Sequence, residues 1–369
     1  MLTIPSLLGI LFWLATTNAH LAAFHKGMYC INGTQKNNID FNSNEMVTPL
    51  YQLSINDWWF HHVTGCDQFP PAPGDFLELP AGGTFTVELA TNRGKTSLSF
   101  DGKYVSDWPD GNTYPENYNV PTCITSPNMH TQNQSMAAGT AFAISYQSDI
   151  KQVTPDNLAV FSVRYHTPWK RVTTYNVPAA MPPCPEAGCI CAWGWVPNGC
   201  GESNMYHQPF KCKVTQSTSN KPVAVPKAPV WCEGKPASCT QGAKQMIYWN
   251  QNSGNNIQVD GYDQSGNHKS PVYNSKCGFS DGAQNDIFVG STSNSKRSIN
   301  VAESISTPPD PISVLRLKSP SKRRLVDDTR DDDGDNTILK TPDSETVVDS
   351  ISSHKRNSRL LGRAGSISW

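Results

Sequence analysis

A histidine at the first position of a chain offers one metal ion two nitrogens, its α-amine and its imidazole Nδ1, and this sequence sets His20 where a leader would be cut. The apolar stretch Leu7 to Leu14, polar Thr16, Thr17 and Asn18, and small Ala19 read as a secretory signal peptide over 1–19. That stretch falls short of the roughly 20 apolar residues a membrane span needs. Cleavage after Ala19 would free an amine of pKa about 7.7–8.0, which a metal can deprotonate near neutral pH. One more imidazole would complete a set of three nitrogens, a donor set that favours Cu(II) among the common divalent ions. With only 9 histidines in 369 residues, a cut falling before one by chance is an event on the order of a few per cent.

Eight histidines could supply the second imidazole. His354 lies in the C-terminal tail and His268 in an extension beyond the main pattern, which sets both aside. His25, five residues from His20, would face the other way in a strand, and at most one of the neighbours His61 and His62 could face a shared site. His166 and His207 remain open as outer groups. His130 is preferred because Thr125-Ser126-Pro127-Asn128-Met129-His130 reads as a loop, where binding residues tend to sit.

The elements that must carry these residues are predicted to be strands. Thr84 to Leu89 and Ser97 to Phe100 alternate polar and apolar, Ala159 to Val163 reads as a buried strand, and no long amphipathic helix is evident. The expectation is an all-β, immunoglobulin/fibronectin-like antiparallel β-sandwich with long loops and several disulfides, running from residue 20 to about 214. A Ser-, Lys- and Pro-rich connector then leads to a disulfide-held extension over 230–290, completing one domain of 20–290. The 11 cysteines, all beyond Ala19, imply up to five disulfides and one spare thiol, with Cys189 and Cys191 bridging elsewhere than to each other. A zinc knot built from Cys184, Cys189, Cys191 and Cys200 is the weaker alternative in an oxidised chain. Asn32 and Asn133 stand in glycosylation sequons. Residues 291–369 hold no cysteine and carry charge of both signs in runs, a pattern read as a disordered tail. Asp331-Asp332-Asp333-Gly334-Asp335 lacks the end ligands of a calcium loop, and Lys322-Arg323-Arg324 could be a processing site. A formal charge of -1 argues against nucleic acid or anionic lipid as the main partner and suits a neutral polysaccharide. A secreted, extracellular monomer is expected, with no membrane partner.

Longer motifs carry a resemblance. His20-Leu21-Ala22-Ala23-Phe24-His25-Lys26-Gly27-Met28-Tyr29-Cys30, Trp58-Trp59-Phe60-His61-His62, Phe69-Pro70-Pro71-Ala72-Pro73-Gly74-Asp75 and Ser106-Asp107-Trp108-Pro109-Asp110-Gly111 resemble the fungal lytic polysaccharide monooxygenases of auxiliary activity family fourteen. So do Ser126 to His130, Cys189 to Gly201, and Asn204-Met205-Tyr206. The resemblance implies one copper ion held by His20 through amine and side chain, by His130, and by Tyr206 at a long axial distance. Asn204 would share the face of Tyr206 in a strand and could donate a hydrogen bond to bound oxygen; related families use glutamine nearby, so it is a departure. An external reductant with O2 or H2O2 would then drive oxidative cleavage of a glycosidic bond, in xylan lying on cellulose as the family implies. Two other classes compete: a copper-binding or copper-delivery protein without oxygenase activity, which an axial Tyr206 argues against, and a metal-free carbohydrate-binding module. Trp58, Trp59, Trp108, Trp193 and Trp195 could stack on sugars but are more often core in a sandwich.

Overall fold

A computed structural model describes residues 20–290 apart from 199, 264 and 265. The segment expected to be a leader (1–19), the segment expected to be a tail (291–369) with its acidic run and the basic run read as a processing site, and His354 lie outside the described residues. Nine strands form in chain order: β1 (Ala22–Phe24), β2 (Leu77–Pro80), β3 (Thr84–Ala90), β4 (Thr140–Ser145), β5 (Ala159–Arg164), β6 (Val172–Asn176), β7 (Cys189–Trp195), β8 (Tyr206–Thr215) and β9 (Gly282–Ala283). The alternation in β3 buries Phe85, Val87 and Leu89 and leaves Thr84 and Thr86 exposed, as a strand with one wet face requires. It is the centre of a three-stranded sheet, β1-β3-β6, all antiparallel. The second sheet runs β2-β8-β7-β4-β5-β9. Phe85 and Tyr175 of the small sheet lie on Phe142 of the large one, at ring separations of 5.0 and 4.8 Å, and Tyr175 is hydrogen-bonded to Thr140 and Trp193.

The large sheet is mixed rather than wholly antiparallel, because β2 runs parallel to β8, with Leu77 opposite Cys212. The Gly82-Gly83 turn after β2 carries the chain into β3 of the other sheet, so β2 takes its partner from across the molecule instead of from a hairpin. β4 and β7 are buried along their whole length, which in a sandwich means that both faces are covered. The outer cover is the 230–290 segment. Gly194 of β7 has room for no side chain, since a Cβ there would meet Met246 at 2.3 Å and the Tyr273 hydroxyl at 2.8 Å. β9 extends the sheet from β5, and Gln245 bridges to Ala159. This segment therefore belongs to the same core, and its Cys232–Cys239 disulfide is a local clasp.

The cysteines pair as Cys30–Cys66, Cys123–Cys200, Cys184–Cys189, Cys191–Cys212 and Cys232–Cys239. All four cysteines of the zinc alternative are consumed in disulfides, and Cys277 is the spare thiol, buried and pushed up to about 12 by that burial. Trp58, Trp108, Trp193 and Trp195 are core, and Trp59 is half-buried. Ser97 to Phe100 is not a strand: Ser97 donates its main-chain N–H to the Glu88 carboxylate and Phe100 opens a 3-10 turn. The Glu88 carboxylate, brought alongside by β3, takes the N–H that ladder pairing would have used. The longest α-helix among the described residues is Ile55–Trp58, and none is long and apolar enough to cross a membrane.

Candidate metal centre

The chain from His20 enters β1 and then passes along β8. Met28 bridges to Phe210, Tyr29 donates to the Pro209 carbonyl at 3.1 Å, and Lys211 donates to the Gly27 carbonyl at 2.8 Å. The Gln208 amide donates to the Tyr29 carbonyl at 3.0 Å from the interior. Sequence and ladder together thus hold the N-terminal segment against β8 and leave half-buried His20 at its upstream end.

His130 lies on a loop tied by Cys123–Cys200 to the turn before β8. Its Nδ1 donates to the Cys200 carbonyl at 2.8 Å. A carbonyl can only accept, so the Nδ1 is protonated and the lone pair of the neutral ring sits on Nε2. That Nε2 is buried with no hydrogen-bond partner. Burial pushes the imidazole down to about 4; the Cys200 carbonyl partly opposes this and the nearby His20 adds to it. The ring meets Trp195 edge-on at 5.7 Å, and Tyr206, the first residue of β8, lies flat on the same Trp195 at 4.8 Å and 18°. Burial, with a further push from Glu202, holds the Tyr206 phenol well above its ordinary range, so it stays protonated. Above His130 sits Gly201, at φ +85°, where a Cβ would come within 2.7 Å of Nδ1.

The structure thus brings His130 and Tyr206 onto one tryptophan, with His20 close enough to His130 to oppose its protonation. Asn204 does not share a strand with Tyr206, because β8 begins only at Tyr206. Asn204 is buried, its amide donates to the Glu202 carbonyl at 3.1 Å, and its Oδ1 has no hydrogen-bond partner. Sequence reasoning missed the Cys200 carbonyl and Gly201. The Cys200-Gly201 pair is a weak signal of a tight turn, but a main-chain acceptor has no side-chain signature.

The remaining histidines go elsewhere. His207 faces away from Tyr206 in β8, stacks on Phe60 at 4.8 Å, and accepts the Phe60 N–H on Nδ1, so its own proton is on Nε2. His61, in a 3-10 turn rather than a strand, is hydrogen-bonded through Nε2 to the Thr48 carbonyl. His62 pairs with Asp67 at 2.9 Å, His25 Nδ1 accepts from the Gly27 N–H, and His166 is exposed. Burial alone pushes His61 down to about 3. Between its ordinary 6.5 and about 3 the unfolded chain holds a proton on this ring that the folded one lacks, so acidification destabilises the fold, by up to about 1.4 kcal/mol per pH unit for one such group. In urea unfolding of the metal-free protein from pH 7 to 4, His61→Gln is expected to show a shallower loss of stability than wild type. Equal slopes would contradict the burial of a neutral His61.

No cluster of three or more His, Cys, Asp or Glu side chains suited to a metal occurs among the described residues. A metal held here must complete its donor set from outside that inventory, which a terminal amine would do. A neutral imidazole with a buried, fixed Nε2 beside a second imidazole fits copper, and the main-chain carbonyl on the other ring nitrogen is the usual way such a ligand is aimed.

Comparison with known proteins agrees. The family model described as lytic polysaccharide monooxygenase AA14 matches residues 2–360. An AA14 family lytic polysaccharide monooxygenase B of Trametes coccinea (strain BRFM310) is 40% identical over 292 residues, 76% of this chain. The protein of the same name from Pycnoporus cinnabarinus is 39% identical over 77% of this chain and 74% of its own length. One from Talaromyces rugulosus is 36% identical over 76% of this chain and 96% of its own length. The match spans 65% of the Trametes protein. The chain belongs to the AA14 family of lytic polysaccharide monooxygenases, a family of copper-dependent enzymes.

Proposed function

We propose that the chain is secreted, is cut after Ala19, and acts as a copper-dependent monooxygenase that cleaves glycosidic bonds in plant cell-wall polysaccharide, with xylan on cellulose as its substrate. The observation that carries this reading is the buried His130 Nε2, aimed by the Cys200 carbonyl beside His20. His20 would hold the metal through its amine and ring, His130 through Nε2, and Tyr206 would cover one side as a protonated phenol. Copper, when bound, supplies the one-electron chemistry by which O2 or H2O2, fed by an external reductant, attacks a sugar C–H bond. Trp195, buried beneath both His130 and Tyr206, keeps water out from below and fixes the two rings relative to each other. Asn204 holds the Glu202 carbonyl and so shapes the turn that delivers Tyr206. The two packed sheets serve as an immunoglobulin-like scaffold, residues 20–290 act as one catalytic unit, and the sequons at Asn32 and Asn133 are read as glycosylated.

The test is incubation of the copper-loaded secreted protein with reductant, peroxide and either xylan-coated or bare cellulose. Oxidised oligosaccharides are expected, in greater amount from the coated fibre. Stoichiometric copper with no oxidised product on any substrate would return the chain to the class of copper-binding proteins. Equal yields from both fibres would remove xylan from the proposal.

A further inference from the structure

A cleft of about 660 Å³ lies along the 249–268 segment, within the range of about 300–1,000 Å³ usual for ligand clefts. The segment grips the turn that feeds the metal centre. Asn250 donates to the Ser203 carbonyl at 2.6 Å, the Trp249 N–H meets Met205 Sδ at 3.4 Å, and Asn267 donates to the Gly201 carbonyl at 3.0 Å. Only Gly201 separates this last contact from the His130 ring. Trp249 and Asn250, which line the cleft, are thus tied by hydrogen bonds to the turn that precedes Tyr206.

Its lining has the chemistry of a sugar site. Tyr262 is 69% exposed, yet it is held in place by stacking on exposed His268, with centroids 5.0 Å apart and planes 26° apart, and by a main-chain bridge between the two residues. An ordered aromatic face open to water suits the C–H face of a pyranose ring. Ile257 is buried and Val259 half-buried, whereas Gln258 and Asp260 stay exposed, so one side of this stretch anchors it while the other offers an amide and a carboxylate to hydroxyl groups. No lysine or arginine lines the cleft, which does not suit a polyanion.

We infer that this cleft is a subsite for a neutral polysaccharide chain, with Tyr262 as its stacking platform. The inference rests on the reading of the chain as a polysaccharide-active protein. Its test is adsorption of the full secreted protein to cellulose and to xylan-coated cellulose, for wild type, Tyr262→Ala and Gln258→Ala, with copper affinity measured in parallel. Tyr262→Ala is expected to adsorb about tenfold more weakly with copper affinity unchanged, and Gln258→Ala to weaken adsorption to a lesser degree. Unchanged adsorption of both variants, or no adsorption of wild type to either fibre, would overturn the subsite. Oxidised products from wild type with Tyr262-independent adsorption would sink the subsite and leave the oxygenase reading standing. Tyr262-dependent adsorption without oxidised products would do the reverse.

Discussion

A variant secreted with one alanine between the leader and His20 is expected to bind copper at least about 100-fold more weakly than wild type, roughly 2.8 kcal/mol. The insertion leaves every strand and every side chain of the described fold in place and changes only one group. The α-amine that cleavage after Ala19 would free, basic enough to bind metal near neutral pH, would become an amide nitrogen whose lone pair is delocalised. Because no other cluster of His, Cys, Asp or Glu among the described residues can take its place, the remaining imidazoles would have to hold the ion alone. Titration calorimetry on the variant and wild type, with thermal unfolding of the metal-free forms as a fold control, decides the matter. Equal affinities would mean that the amine is not a ligand.

Gly201→Ala is expected to lower copper affinity by about 10–100-fold and to destabilise the metal-free protein as well. Two effects act at this position. An L-residue at φ +85° costs about 1–2 kcal/mol of backbone strain. The new methyl would also press on His130 Nδ1 from 2.7 Å, forcing the ring to move and breaking its bond to Cys200. Gly74 separates the two contributions, since it has φ +89° with nothing within 4 Å of a Cβ. Gly74→Ala should lose similar stability and keep copper affinity. If the two variants bind copper equally well, Gly201 has no part in positioning His130.

Much of this fold was legible in the sequence where a residue's own chemistry decided the outcome. The alternation of Thr84 to Leu89 and the apolar run at Ala159 became β3 and β5 because side-chain burial alone sets those patterns. Ser97 to Phe100 has the same alternation but became a turn, because Glu88, remote in sequence pattern but adjacent in space, captured the Ser97 N–H. The parallel pairing of β2 with β8 and the use of 230–290 as the outer cover of the large sheet were not legible. Strand periodicity does not encode which strand is the partner, and a segment rich in Asn, Gly and Ser reads as peripheral even when Met246 and Tyr273 reach into a gap left by Gly194.

The metal centre divides in the same way. The proposal of His20, His130 and Tyr206 rests on side-chain signatures read from the sequence, whereas the parts that would aim them are main-chain atoms and empty space. The Cys200 carbonyl, the missing side chain at Gly201 and the shared floor of Trp195 emerge only once the Cys123–Cys200 disulfide and the β7–β8 ladder bring distant segments together. Asn204 shows the converse, since a strand register inferred from spacing failed where the strand had not yet begun.

The proposed site holds one copper ion by three nitrogens, two from His20 and one from His130. Electron paramagnetic resonance of the secreted protein carrying one equivalent of Cu(II), after its mature N-terminus has been sequenced, tests it most directly. Expected are a chain beginning at His20, a spectrum with hyperfine coupling to three nitrogens, and one coupling fewer in His130→Ala. A chain beginning elsewhere, or a copper signal that His130→Ala leaves unchanged, would contradict it.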